Sequence, residues 1–292
     1  MAMTVQIDGE QMGMGWLPDL PDIRDYTPEH DAVELLLAKT SIPETNAPAL
    51  AASVDLRPWC SPIENQGSLG SCTAHAGVGM VEYLERRAFG KHIDASRRFL
   101  YKVTRKLAGF TGDSGAFLRN TMGGMRLFGA PPESYWPYVI AQFDEEPPAF
   151  CYSLGQDFQA LTYYRLDPPG TDRKALLTSI KTHAASKLPS MFGFTAYESI
   201  FSAAGGKIPF PTKGDKVAGG HAVMAVGYDD ALEIAYHGTT THGALRIRNS
   251  WGTGWGEKGY GWLPYEYVLK GLAVDWWVLL GEEWVDTGEF AT

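Results

Sequence analysis

The sequence predicts an α+β chain of two lobes, a helical half followed by a β-rich half. Three observations carry this. Residues 54–129 place apolar side chains at helical spacing, the residues from about 158 onward form short β-branched and aromatic runs, and 292 residues exceed one comfortable core but not three. The divisions expected are an N-terminal region over 1–53, a helical lobe over 54–152 and a β-rich lobe over 153–292.

The N-terminal region is rich in Pro, Asp and Glu, with one periodic stretch, Asp31 to Lys39, able to form a short helix. Leu17-Pro18-Asp19-Leu20-Pro21-Asp22 favours extended or turning backbone. Met14, Trp16, Leu17, Leu20, Ile23 and Tyr26 argue that this region lies ordered over the body, because a disordered tail has little use for them. Ser71 is placed as an N-cap, and a helix is expected from Cys72 to about Ala88 with Val78, Val81 and Leu84 on its stripe, stopping at Gly90. A second helix begins near Ser96 and a third near Gly115. Residues 130–151 form a Pro- and aromatic-rich connector. Strands are expected at FQALTYYRL, PSMFGFTAY, HAVMAVGYDD, ALRIRNSW and YGWLPYEYV, with one helix from Asp172 to Lys187 among them.

Charge and cysteines narrow the function. Lys and Arg number 25 against 34 Asp and Glu, a net charge of −9, whereas a nucleic-acid binder shows a basic stripe. Arg86-Arg87 and Arg97-Arg98 are expected on solvated helix faces. No stretch approaches the ~18–20 apolar residues that span a bilayer. The start, MAMTVQIDGEQMGMGW, lacks signal-peptide features, so cytoplasmic residence is the default, with export by another route open. Neither nucleic acid nor membrane is expected as a partner. Cys60, Cys72 and Cys151 are too few for a disulfide-built scaffold, and their odd number leaves at least one thiol that is either a buried hydrophobe or a reagent.

Cys72 follows Gly67-Ser68-Leu69-Gly70-Ser71 at a helix start, where the helix dipole favours thiolate. Alone this is weak, since most cysteines are simply packed. His221 follows Gly219-Gly220 and opens an apolar run; a core histidine is the bland reading, yet the glycines leave the ring accessible. A neutral imidazole beside a thiol can take its proton. The Asn249 amide oxygen could accept from the far ring N–H and hold the tautomer, with Trp251 shielding that bond. The Gln66 side chain and the Cys72 backbone N–H could supply two donors to an oxyanion.

Asn65-Gln66-Gly67-Ser68-Leu69-Gly70-Ser71-Cys72, Gly220-His221-Ala222-Val223 and Asn249-Ser250-Trp251-Gly252-Thr253-Gly254-Trp255-Gly256 resemble the three signature blocks of the papain family of cysteine peptidases, in the family's order and of bacterial type. The 149 residues from Cys72 to His221 fit the family's spacing of about 130–150. Val54-Asp55-Leu56-Arg57 resembles the start of the family's mature domain and Tyr135-Trp136-Pro137-Tyr138 its mid-chain turn. The resemblance implies a papain-like two-lobed fold with the active-site cleft between lobes. It implies Cys72 as nucleophile, His221 as base, Asn249 as its orienter and Gln66 in the oxyanion hole. Ser114 and Gly115 would pair with substrate by main-chain bonds. Ala116, Phe117, Ala222 and Asp275 or Trp276 would surround the pocket for the residue second from the scissile bond, and Gly220 is placed among the substrate-binding residues. Trp251 would also line the site. A monomer acting on peptides or proteins is expected.

The departures are specific. Leu69 stands where the family usually carries a disulfide cysteine, and Thr73 where an aromatic follows the nucleophile. Cys60 and Cys151 are therefore either bridged or two free thiols. His75 is better placed as a packing residue than a functional one. No cofactor is implied, and Cys60, Cys72 and His75 match no common metal framework. Residues 1–53 are shorter and richer in proline than the family's propeptide. They are expected to block the cleft, with Trp16 to Tyr26 along it or the lobe boundary; a permanent brace is the alternative. The leading function is a zymogen-like endopeptidase. Acyl transfer or deamidation by the same residues, and a catalytically silent binding fold, are the competing readings.

Overall fold

The computed structural model describes residues 2–7, 9–40, 50–158 and 162–281. The chain begins with an antiparallel hairpin, β1 (Met3–Ile7) and β2 (Glu10–Met14), then a two-residue strand β3 (Trp16–Leu17) and a short helix α1 (Asp31–Leu37). Strand β4 (Ser53–Asp55) leads to the helices α2 (Cys72–Phe89) and α3 (Arg97–Leu107), the strand β5 (Ala116–Phe117), and the helices α4 (Leu118–Phe128) and α5 (Ala149–Gly155). The second half runs β6 (Thr162–Arg165), α6 (Arg173–Ala185), β7 (Ser190–Tyr197), β8 (Val217–Tyr236), β9 (Thr239–Arg248), β10 (Tyr260–Pro264), α7 (Tyr265–Leu269) and β11 (Ala273–Leu280). Its antiparallel sheet has the order β10-β9-β8-β7-β11-β6, and β4 adds to β8. This is the two-lobed α+β architecture that the sequence resemblance implies.

Helix α2 begins at Cys72 and ends on Gly90, as its pattern predicts. Ser71 occupies the N-cap position but does not cap: its hydroxyl hydrogen-bonds Tyr138 Oη at 2.6 Å instead. Ser96 does cap α3, accepting from Phe99 N, and Asp172 caps α6 by accepting from Lys174 N and Ala175 N. The connector holds one unanticipated helix, α5. The stretch YGWLPYEYV is a strand only as far as Pro264; proline lacks the ladder donor, and the chain turns into α7. Residues 159–161 of FQALTYYRL lie outside the described residues, and β6 supplies the remainder. Strand β11, AVDWWVLL, escapes a search for alternation because it is buried on both faces.

The arginine pairs depart from expectation. Arg87, Arg97 and Arg98 are buried, not solvated. The Arg97 guanidinium meets Glu82 at 3.0 Å, Asp94 at 2.8 Å and Glu133 at 2.9 Å, while Arg87 and Arg98 stack on Trp59 and Trp136. Charge recorded along a helix does not reveal which of its partners come from elsewhere. Cys60 and Cys151 are both free and buried. His75 is buried edge-on to Tyr138, with Nδ1 near Ser71 O, a packing position.

Helix α2 packs on β8 and β7, which puts the first residue of the helix against the first half of the long strand. Cys72, Val78, Phe192, Phe194 and Met224 are fully buried along this seam.

Candidate active site

The seam brings the residues singled out in three distant blocks to one place. Ala222 N donates to Cys72 Sγ at 3.4 Å, so the thiol at the start of α2 lies against the residue that follows His221 in β8. His221 Nε2 and Asn249 Oδ1 are 2.7 Å apart. The same Oδ1 accepts from Ser250 N at 2.8 Å, which identifies it as the amide oxygen. A ring nitrogen facing an acceptor must carry the proton, so Nδ1 is the basic nitrogen, and it is buried without a hydrogen-bond partner. Trp251 stacks on the imidazole at 4.5 Å and seals the His–Asn bond.

Gln66 is fully buried, with its orientation set by Ser250, whose hydroxyl donates to Oε1 at 2.5 Å. Its Nε2 donates to Leu69 O at 2.7 Å and to Gly13 O at 3.1 Å. The second of these belongs to the N-terminal region. Gly13 N in turn donates to Gly67 O at 2.8 Å. Ala116 N donates to Gly15 O at 2.7 Å, and β3 then pairs in parallel with β5, Trp16 opposite Ala116 and Leu17 opposite Phe117. Gly15 passes so close to the loop before Cys72 that a Cβ on it would run into the Gly70 carbonyl.

The expected groove residues divide accordingly. Ala116 supplies the main-chain donor to the bound segment, while Ser114 N and Gly115 N turn to Gly112 O and the Tyr101 hydroxyl. Gly220 lies under Trp16, and Ala222 under the thiol. Asp275 accepts from Trp16 Nε1 at 3.1 Å, whereas Trp276 stacks on Phe192 away from the groove. The segment occupies the cleft from Gly13 to Leu17, so of the expected stretch only its first residues lie along the groove. Beyond them, Asp19 and Asp25 clip the segment to both lobes. Asp19 Oδ2 accepts from Arg119 N and from Trp277 Nε1, each at 3.1 Å, and Asp25 forms a two-pronged pair with Arg119 at 2.7 and 2.6 Å.

Occlusion sets the electrostatics. Burial pushes the Cys72 thiol up to about 11, against the hydrogen bonds from Ala222 and Gly15 that favour thiolate. Burial also drives His221 down to about 4, with the Asn249 bond opposing it. In this closed arrangement the two groups are a protonated thiol and a neutral imidazole, and desolvation outweighs the helix terminus that favours thiolate. Sequence reasoning missed Gly13, Gly15 and Asp19. The Gly13-Met14-Gly15-Trp16 pattern, two glycines flanking a residue before a large aromatic, was the available signal for close backbone approach.

A model of the papain family cysteine protease matches residues 50–268. A peptidase C1-like protein of Acanthamoeba polyphaga mimivirus is 31% identical over 222 residues, covering 74% of this chain and 68% of that protein. Cathepsin K of Gallus gallus is 30% identical over 223 residues, 75% of this chain and 60% of the relative. Among solved structures, xylellain, a cysteine protease from Xylella fastidiosa, is 33% identical and covers 92% of this chain and 96% of that chain at a TM-score of 0.74. Procathepsin L 3 of Tenebrio molitor, 22% identical with a TM-score of 0.60 over 85% of this chain and 78% of the other, shares the fold. With the three blocks assembled around one cleft and the family model spanning most of its length, the chain belongs to the papain family of cysteine proteases.

Proposed function

We propose that the chain is a cysteine endopeptidase in which Cys72 attacks the substrate carbonyl, His221 moves the proton and Asn249 holds the imidazole. The observation that carries the assignment is Asn249 Oδ1 accepting from both Ser250 N and His221 Nε2, which leaves the buried Nδ1 unpartnered, while the N–H of the next residue, Ala222, reaches the Cys72 thiol. Nδ1 takes the Cys72 proton, the thiolate forms a bond to the carbonyl carbon, and the resulting oxyanion is held by Gln66 Nε2 and Cys72 N. The imidazolium then protonates the leaving amine, and water hydrolyses the thioester to regenerate the thiol. Residues 54–152 supply the nucleophile and 153–292 the histidine and asparagine.

The N-terminal region acts as the blocking element. The Gly13 carbonyl takes the Gln66 donor that the oxyanion would need, and the Trp16 side chain, 5% exposed, fills the groove beyond it. Burying that indole contributes about 2–3 kcal/mol to docking.

An epoxysuccinyl thiol-protease inhibitor tests both parts. A Cys72-dependent mass adduct, absent in Cys72→Ala, is expected to form faster on a chain starting near Val54 than on the full chain. Absence of any Cys72 adduct in both would sink the catalytic assignment. Equal labelling and equal peptidase activity of the two folded chains would remove the blocking role.

A further inference from the structure

The pocket that Trp16 fills carries information about what replaces it. Its walls are two glycines on neighbouring strands, Gly193 of β7 and Gly220 of β8, and a Cβ on either would run into the indole. Such walls leave a flat slot suited to a ring. At its end stands Asp275, whose side chain is 2% exposed. Its φ of 58° lies in the left-handed region, at the bulge between Val274 and Trp277 in β11. Asp167 pins that bulge by accepting from Asp275 N at 2.8 Å and Trp276 N at 2.9 Å. A buried acid held in an uncommon backbone conformation at a groove marks a position shaped for contact.

The two oxygens of Asp275 have different partners. Oδ1 accepts from Arg165 at 2.6 Å, which supplies the countercharge. Oδ2 accepts two neutral N–H groups, Trp16 Nε1 at 3.1 Å and Asp19 N at 2.8 Å. Both donors belong to the segment. When it leaves, Oδ2 is a buried acceptor facing an empty flat slot. We propose that Asp275 makes this pocket select substrate side chains that join a flat aromatic ring to a ring N–H, tryptophan above all, at the residue second from the scissile bond. The proposal rests on the peptidase assignment above and names the substrate class for the same site.

Competing side chains fit less well. Phenylalanine fills the slot but leaves Oδ2 unpaired, and a desolvated acceptor without a donor is costly. Leucine leaves the far end open. A substrate arginine or lysine would bring a second cation beside Arg165, which already pairs with Asp275 at 2.6 Å and Asp167 at 3.0 Å.

The test uses the full chain carrying Gly15→Val, whose side chain cannot fit beside the Gly70 carbonyl when the segment is docked. Three dipeptidyl epoxides, identical except for Trp, Phe or Arg at the selected position, are compared by the second-order rate of Cys72 alkylation, read by intact mass. The Trp reagent is expected to react about ten- to a hundredfold faster than the Phe reagent, with Arg no faster than Phe. In the Gly15→Val background, Asp275→Gly suits the left-handed backbone and removes the acceptor, and should bring the Trp-to-Phe ratio within about threefold of unity; Asp275→Asn keeps an acceptor and should retain most of the preference. Equal Trp and Phe rates in Gly15→Val, or Arg as the fastest reagent, overturns the proposal and leaves the peptidase assignment standing. If Asp275→Gly fails to fold, the Gly15→Val ratio still decides. Failure of all three reagents to label Cys72 removes both readings together.

Discussion

Asp19 should make docking of the N-terminal segment depend on pH, with a sign opposite to acid release. Its carboxylate is fully buried between the lobes. Facing it are Arg119 at the start of α4, Trp277 and Asp275 on β11 and Arg165 on β6, with Asp25 on its own segment and Asp167 behind Asp275. The local balance is four carboxylates against two guanidinium groups. Burial first, and the Asp275 charge second, push the Asp19 carboxyl up to about 7. On the released segment it returns to about 3.9. Between these values the docked state holds one proton more than the open state, so docking weakens about tenfold for each unit the pH rises. From pH 5 to pH 7 this amounts to roughly fiftyfold, about 2.3 kcal/mol, with about a further twofold lost above 7. The contribution is complete below the released value and is lost as pH rises through the docked one. Hydrogen exchange at the amides of residues 12–17 in the full chain, corrected for intrinsic exchange, measures it without reference to catalysis. Asp19→Asn, neutral at every pH, is expected to stay docked at pH 8 with a flat profile. Tightening of wild-type docking on raising the pH, or an Asp19→Asn slope equal to wild type, would refute the reasoning.

Other outcomes follow from the same contacts. Gly15→Val should raise the rate of Cys72 alkylation at pH 6 at least tenfold, and an unchanged rate would deny that the segment shields the thiol. Asn249→Ala should lower kcat of the released enzyme by about a hundredfold with KM little changed, because only the imidazole's orientation and its charged form lose support; an unaltered kcat removes its role. Glu82, fully buried, binds Arg97, Ala95 N and the Ser61 hydroxyl, so Glu82→Ala should cost about 3 kcal/mol in urea denaturation. A loss under 1 kcal/mol would show that Asp94 and Glu133 neutralise Arg97 by themselves.

Much of the architecture was legible because its signals are local. The α2 stripe, the Ser96 and Asp172 caps and the strand patterns of β7, β8 and β9 each sit within a few residues of the structure they specify. The exceptions have physical causes. Strand β11 is buried on both faces and so has no alternation, and the hairpin β1–β2 contains Gln, Gly and Glu residues that resemble a loop until Met12 and Met14 are seen packed inward. Ser71 looks like a cap but spends its hydroxyl on Tyr138, a partner 67 residues away.

By itself the sequence determined the chemical inventory: a cysteine at a helix start, a histidine opening an apolar strand, an asparagine before a tryptophan, and a glutamine six residues before the thiol. Such groups are specified by residue type, and type is what a sequence records. The tertiary structure decided which face of that inventory is open. It placed Gly13 on the Gln66 amide, Trp16 on Asp275 and Asp19 among like charges. It also turned a thiol expected to favour its ionised form into one held protonated by burial. On the proposed assignment the odd cysteine is the reagent with the N-terminal segment packed over it, and its protonation follows from burial, since desolvation depends on everything packed around an atom and on nothing written beside it in the chain.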